Sequence, residues 1–272
     1  MTVSFAADAC APLVAHPADS ALFLDLDGTL APIVAHPRDA RLIAGAAERI
    51  VQLRDALGLV GFISGRGLED LRRIVGIPGC AYAGNHGFEL QLPDGPVRTA
   101  QAALAWQGPI DRVAASWDDR ELTDAGLHIE HKGATFSVHW RTAAEPQAAA
   151  AMVRERLAPA ARAAGLAVTW GRMVMEVRPP VPIDKGTAVA ELIADGGWHH
   201  AVYIGDDHTD ADAWRALHAL RDAGALVTAT AVVATSPETP PELREVADAE
   251  VPGPPGVLDL LTALRDRVAE PG

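Results

Sequence analysis

Apolar residues along this chain come in short runs, separated by stretches in which they recur every three or four positions. The run "ALFLDL" (21–26) reads as a first strand and "DARLIAGAAERIVQLRDAL" (39–57) as a helix. "LVGFIS" (59–64) and "CAYAGN" (80–85) read as further strands, with the helix "LEDLRRIV" (68–75) between them. After "VPIDK" a helix is predicted over 186–195, then a strand at "AVYIGDD" (201–207), then a helix to about Ala223 that Gly224 stops. "ALVTATAV" (225–232) supplies a late strand. The turn-rich stretch 236–256 reads as a loop with one short helix, and "VLDLLTALRDRVAE" (257–270) as a terminal helix. Strands alternating with helices in this way predict an α/β domain built on a mainly parallel sheet.

The middle of the chain has a different rhythm. A helix is predicted over 104–120. "LHIEHKG" (127–133) and "ATFSVHWR" (134–141) then alternate with period two, as half-exposed antiparallel strands do. An Ala- and Arg-rich helix over 145–164 leads to "LAVTW" (166–170) and "MVMEVR" (173–178), with Gly171-Arg172 as a hairpin turn. This is an α-β-β-α-β-β unit, closed by the proline-rich "RPPVP". The expected organisation is a small α+β domain, 104–181, inserted into an α/β domain made of 1–103 and 182–272.

Charge narrows the class. A net charge of −13 disfavours nonspecific binding to nucleic acid or anionic membranes, which needs clustered Lys and Arg. It leaves an anionic small substrate open, because local charge governs a pocket. Cys10 and Cys80 are too few for a disulfide framework or a zinc site. The first twenty residues lack a basic segment followed by a long apolar one, so they do not read as a signal peptide. No apolar run approaches the roughly 20 residues of a membrane span. A soluble, cytoplasmic protein is the simplest expectation.

The chemistry begins at the strand ends. Asp25 and Asp27 are two apart at the mouth of a buried-looking strand, and a strand directs such positions to one side. A second acidic cluster, Asp206, Asp207 and Asp210 in "GDDHTD", follows another strand. Ligands in open α/β sheets sit at the carboxyl ends of strands. Two unit charges about 4 Å apart repel by roughly 4 kcal/mol at an effective dielectric of 20, so several such pairs call for a cation. Oxygen ligands alone point to a hard ion, and Mg²⁺ is the usual one beside phosphate. Either cluster alone reads equally well as turn-forming or helix-capping Asp; the two together favour a site. Ser64 follows a strand in "GFISGRG", where a hydroxyl and backbone N–H groups suit a phosphate oxygen. Lys185 stands at a helix start, where the macrodipole disfavours a cation, which suggests an anion nearby.

With these residues in order, the sequence resembles the haloacid-dehalogenase-like (HAD) phosphatases: "DLDGT" (25–29), Ser64, Lys185 and "GDDHTD" (205–210) stand where that superfamily has its four motifs. Within it, "DLDGTLAPIVAHP", "ISGR", "GNHGFE", "IEHKG", "FSVHWR", "MEVRPPVPIDKG" and "GDDHTDADAW" resemble the trehalose-6-phosphate phosphatase family, from about 22 to 214. Ala211 stands where that family usually has Glu.

The resemblance implies a Rossmann-like HAD core with an inserted α+β cap of the C2B type, and phosphoric monoester hydrolysis dependent on Mg²⁺. It makes Asp25 the nucleophile and Asp27 the acid and then base, with neighbouring carboxylates and partial burial favouring the protonated form of Asp27. Asp25, Asp206 and the carbonyl of Asp27 would hold the metal, Ser64 and Lys185 the phosphoryl oxygens, and Asp207 and Asp210 would support from behind. Glu130, Lys132 and Glu176 would grip the distal glucose, with Arg66, Asn85, His86 and Arg141 as further substrate candidates. The implied substrate is trehalose 6-phosphate, and association with a trehalose-6-phosphate synthase is the partner it suggests. Two alternatives remain: a relative acting on another sugar phosphate, such as sucrose, glucosylglycerol or mannosyl-glycerate phosphate, and a non-catalytic subunit of a trehalose-synthesis complex. Loss of Asp25, Asp27 or Lys185 would favour the second, and all three are present.

Overall fold

All five residues of β1 (Ser20–Leu24) are buried, as in a strand covered on both faces. Its side chains alternate, so Leu22 and Leu24 enter one apolar cluster while Ala21 and Phe23 enter another. The chain continues with β2 (Leu59–Ile63), β3 (Ala81–Gly84), β4 (Glu89–Gln91) and β5 (Val97–Thr99). A separate antiparallel sheet follows, made of β6 (His128–His131), β7 (Phe136–His139), β8 (Ala167–Gly171) and β9 (Val174–Arg178). The chain then returns to the first sheet with β10 (His200–Gly205), β11 (Thr228–Thr235) and β12 (Ala249–Pro252). These elements come from a computed structural model that describes residues 3–269 other than 35, 118, 119, 172 and 238.

The large sheet has the order β12-β11-β10-β1-β2-β3-β4-β5. β1 pairs in parallel with both β10 and β2, and parallel pairing continues to β11, β12 and β3, while β4 runs antiparallel to β3. From β1 the chain builds outward through β2 and β3, and later from β10 in the opposite direction. That reversal between β1 and β10 is the point at which open α/β sheets bind ligands, beyond the carboxyl ends of their strands. Helices follow the strands with clear start and stop signals. In Leu68–Val75, Leu68, Leu71, Ile74 and Val75 are buried, and Gly76 ends the helix in the left-handed conformation at φ 64°. Asp184 and Thr187 form a reciprocal capping box at the start of Lys185–Gly196.

The chain divides into two compact units, Met1–Arg98 with Ile183–Gly272, and Thr99–Pro182. The second is the α+β unit of the antiparallel sheet, with the order β6-β7-β9-β8. Phe136, Val138, Met175 and Val177 of this sheet are buried in an apolar cluster with Ile110, Ala114, Val153 and Leu157 of its helices. The other face carries Glu130, Ser137 and Glu176 in one row across the strands. Among the described residues, no helix is long and apolar enough to cross a membrane.

Several elements differ from the sequence expectation. The helix expected over 39–57 is only Ala46–Arg54. Gly45, at φ 90°, marks its start, and Leu42 and Ile43 pack against the core from a loop. Their apolar spacing mimics a helix but serves burial alone. The late strand lies further along, at Thr228–Thr235, and the loop expected over 236–256 holds the short helix Pro241–Val246 and also strand β12. The helix expected over 145–164 is Pro146–Met152 and Ala158–Ala163 joined by a π-helical turn, Val153–Leu157. The helix expected over 104–120 is Gln107–Trp117, and 118 and 119 lie outside the described residues. β8 and β9 pair as a hairpin with Gly171 opposite Val174; Arg172 of the expected turn lies outside the described residues.

Candidate active site

β1 and β10 run side by side with Leu24 opposite Ile204, so the residues after them emerge together. The backbone N–H of Asp25 extends the ladder by one bond, to the Ile204 carbonyl at 2.9 Å. Asp25 is only 4 % exposed. Beyond it the chain turns back, with Gly28 N–H donating to Ala31 O at 2.7 Å. Gly28 adopts φ 90°, and a Cβ there would fall 2.0 Å from Asp206 Oδ2. Only glycine lets this turn lie flat against the Asp206 carboxylate.

Asp210, fully buried, organises the second acidic cluster. Its Oδ2 accepts the backbone N–H groups of Asp206 and Asp207 at 2.9 and 3.0 Å. Its Oδ1 accepts Lys185 Nζ at 2.7 Å and the Tyr203 hydroxyl at 2.6 Å. Lys185, 2 % exposed, also donates to Asp25 Oδ1 at 2.8 Å. Its place in the first turn of a helix is therefore explained by the carboxylates it reaches. Burial alone would lower the Lys185 pKa, but Asp210 and Asp25 override it and hold the ammonium charged, well above the usual lysine range.

One ammonium does not balance the carboxylates around it. Burial pushes Asp25 well above the usual carboxylate range; Lys185 pulls it back, and Asp210 and Asp207 push it further up. Asp206 is raised in the same way, by burial first and then by Asp25, Asp210 and Asp207. Asp207 goes the other way. Desolvation raises it, but Lys185 and the Thr209 donors outweigh that and bring it down to about 2.

Asp25, Asp206 and Asp210 place carboxylate oxygens within 4.8 Å of one another. Oxygen donors of this kind suit a hard divalent cation. A carboxylate offers about four acceptor positions, and Asp210 already accepts four hydrogen bonds. Asp25 and Asp206 are therefore the side chains fitted to hold the ion, and Asp210 the one that shapes the loop around it.

Residues 23–242 match the family model described as trehalose-phosphatase. The chain belongs to that family. It is 38% identical over 211 residues to a trehalose-phosphate phosphatase of Mycobacterium avium, covering 74% of this chain and 51% of that protein. It thus spans about half the length of this relative. The C-terminal domain of Candida albicans trehalose-6-phosphate phosphatase has the same fold, with a TM-score of 0.78 at 20% identity over 96% of this chain and 97% of that one. So does the C-terminal domain of the C. albicans trehalose synthase regulatory protein, with a TM-score of 0.71 at 15% identity over 97% and 98%.

Seen as a member of the trehalose-phosphatase family, the first unit brings together Asp25, Lys185, Asp206, Asp207 and Asp210. Ser64 is buried directly after β2, one strand from β1, and its Oγ accepts the Arg66 N–H at 3.2 Å. The neighbour given to Asp27 is a guanidinium rather than another carboxylate. Arg66 Nε and one terminal nitrogen grip its two oxygens at 2.6 and 2.8 Å, which supplants the expected crowding by carboxylates. Arg66 also donates to Asp70 and to the Pro37 carbonyl, so here it positions Asp27 instead of presenting itself to a ligand. Asn85 is completely buried in a left-handed turn at φ 51°, with its amide on Glu89 at 2.5 Å; it braces the loop. His86 shares that turn, at φ 57°, and lies against Gly65.

In the second unit, Lys132 Nζ lies 3.6 Å from Glu176 Oε1, and Glu130 Oε2 lies 2.8 Å from His139 Nε2. β7 ends at His139, so Arg141 stands in the turn that follows the strand. Ala211 is buried in the apolar cluster behind the sheet. Tyr203 was not legible as a site residue. Its one signal is a polar tip within the apolar run 201–205.

Proposed function

We propose that this protein is a Mg²⁺-dependent phosphatase that hydrolyses trehalose 6-phosphate to trehalose and phosphate. The observation that carries the reading is the Asp25 carboxylate. It is buried at the carboxyl end of the central strand, held through Oδ1 by Lys185 and close to Asp206. A carboxylate fixed in this way has lost the freedom to turn from an incoming phosphorus. Asp25 attacks the phosphoryl group, the bond from phosphorus to the sugar 6-oxygen breaks, and an aspartyl-phosphate remains. Once Arg66 loosens its fork, Asp27 takes up a proton from solvent and delivers it to the departing sugar oxygen. Asp27 then takes a proton from the water that cleaves the acyl phosphate, and free Asp25 and phosphate result.

Lys185 has three N–H donors, two of them on Asp25 and Asp210, which leaves one for a phosphoryl oxygen. Ser64 offers its hydroxyl from the end of β2. Asp25 and Asp206, with the Asp27 carbonyl, would hold Mg²⁺, whose charge would offset that of the phosphate and polarise it. Glu130, Lys132, Arg141 and Glu176 serve the sugar, since carboxylates accept and cationic groups donate to its hydroxyls.

The test is phosphate release from trehalose, sucrose and glucosylglycerol phosphates, with and without Mg²⁺. The expected result is release from trehalose 6-phosphate with Mg²⁺ only. Preference for another sugar phosphate would reassign the substrate, and no release from any would favour a non-catalytic role.

A further inference from the structure

The row on the face opposite the apolar cluster carries a carboxylate–histidine contact that the proposed sugar set does not explain. Register places Glu130 opposite Ser137, and Ser137 opposite Glu176. The two glutamates therefore stand two strand spacings apart, roughly 10 Å, with the small Ser137 between them. Each acid has its own basic neighbour. Glu176 has Lys132 at 3.6 Å and the Thr135 hydroxyl at 3.4 Å. Glu130 has His139, two residues along β7 from Ser137 and hence diagonal to it, with Nε2 at 2.8 Å from Oε2. Ser137 Oγ is buried and meets no hydrogen-bond partner among the described residues, so it does not tie down either acid.

We propose that His139 is a positioning residue for sugar recognition: it holds the Glu130 carboxylate in one orientation for the hydroxyls of a disaccharide phosphate. The inference rests on the function proposed above. An ionised carboxylate only accepts, so Nε2 of His139 carries the proton it donates to Glu130. Glutamate is rotamer-rich, and ordering it on binding weakens affinity. A carboxylate already fixed by a neighbouring ring loses less freedom when the sugar arrives, as metal ligands do when a second group orients them. The consequence falls on binding and leaves the phosphoryl chemistry in the first unit to other residues.

The experiment compares His139→Ala, His139→Gln, Glu130→Gln and the double variant Glu130→Gln/His139→Ala in the full chain. Steady-state phosphate release is measured from trehalose 6-phosphate and from p-nitrophenyl phosphate, with thermal melts alongside. His139→Ala is expected to raise KM for trehalose 6-phosphate about tenfold while kcat changes by less than about twofold. Its kcat/KM ratio between the two substrates should fall accordingly. His139→Gln, whose amide N–H takes the place of Nε2, should recover most of the loss. The double variant should be no worse than Glu130→Gln alone. An unaltered KM in His139→Ala overturns the inference. So do additive losses in the double variant, or equal losses on both substrates with a lowered melting temperature. If the wild-type protein does not turn over trehalose 6-phosphate, the proposed function fails and this inference with it. Turnover by the wild type together with a silent His139→Ala overturns the inference alone.

Discussion

Lys185 Nζ lies 2.8 Å from Asp25 Oδ1, although 160 residues of chain separate them. Both groups are buried, and the same ammonium holds Asp210. Breaking a buried pair leaves uncompensated charge, so Lys185→Met is expected to destabilise the fold by about 3–5 kcal/mol. It should also lower phosphate release by about a hundredfold or more, since a donor to the phosphoryl group goes with it. Denaturant melts and activity on the same preparation check both. Normal stability with lost activity would confine Lys185 to the chemistry.

Asp25→Asn is expected to cut turnover by at least about a thousandfold, because the amide is a poor nucleophile. The metal-free protein should melt no lower than wild type, since the change removes one of several crowded, buried carboxylates. Phosphate release near the wild-type rate from a metal-loaded Asp25→Asn preparation would refute the nucleophile role.

Exhaustive chelation is expected to abolish phosphate release, and added Mg²⁺ to restore it. Mg²⁺ should also raise the melting temperature with no substrate present, because an ion bound only by the folded state stabilises it by mass action. Asp206→Asn should remove that shift. A melting temperature indifferent to Mg²⁺ would argue against a cation between Asp25 and Asp206.

Tyr203→Phe takes away one of the four hydrogen bonds to Asp210 without changing the ring. The buried acceptor is charged, so a loss of about 1.5–3 kcal/mol is expected in denaturant melts. Activity should fall far less than in Lys185→Met, because the loop keeps its two backbone donors to Asp210. Unchanged stability would mean that the hydroxyl is replaceable.

Burial pushes the Cys10 thiol up to about 12, from an ordinary 9.0. A group raised on folding contributes stability that is complete below about pH 9 and is lost as pH climbs towards 12. Alkaline titration of the folded protein should therefore show destabilisation over that window, smaller in Cys10→Ala. Iodoacetamide at pH 8 should label the native protein slowly and the unfolded protein fast. Rapid native labelling of Cys10 would contradict the burial.

The strands and the acids that follow them were legible because a buried parallel strand leaves an unmistakable apolar run, and charges at its end stand out against it. Asp25 and Asp206 stood out in that pattern, but only the two acidic clusters together favoured a site, and Lys185 at a helix start only suggested an anion nearby; the resemblance supplied their roles. Other features left no local trace. Arg66 finds Asp27 across 39 residues, and no pattern within either segment announces the pair. Strands β4 and β12 are three and four residues long, too short for alternation to show. The over-long helix at 39–57 arose because Leu42 and Ile43 keep helical spacing while packing from a loop. His139 could be placed on a strand face, but its pairing with Glu130 needed the register between β6 and β7.

Among the described residues, the α+β unit fills its interior with side chains drawn from 106–177. The two apolar layers flanking the parallel sheet draw on none of these. Mutations that remodel the row around Ser137 are thus insulated from the layers that fix Asp25. On the function proposed above, a lineage could exchange one sugar for another by drift in this segment while the phosphoryl chemistry stayed as it was.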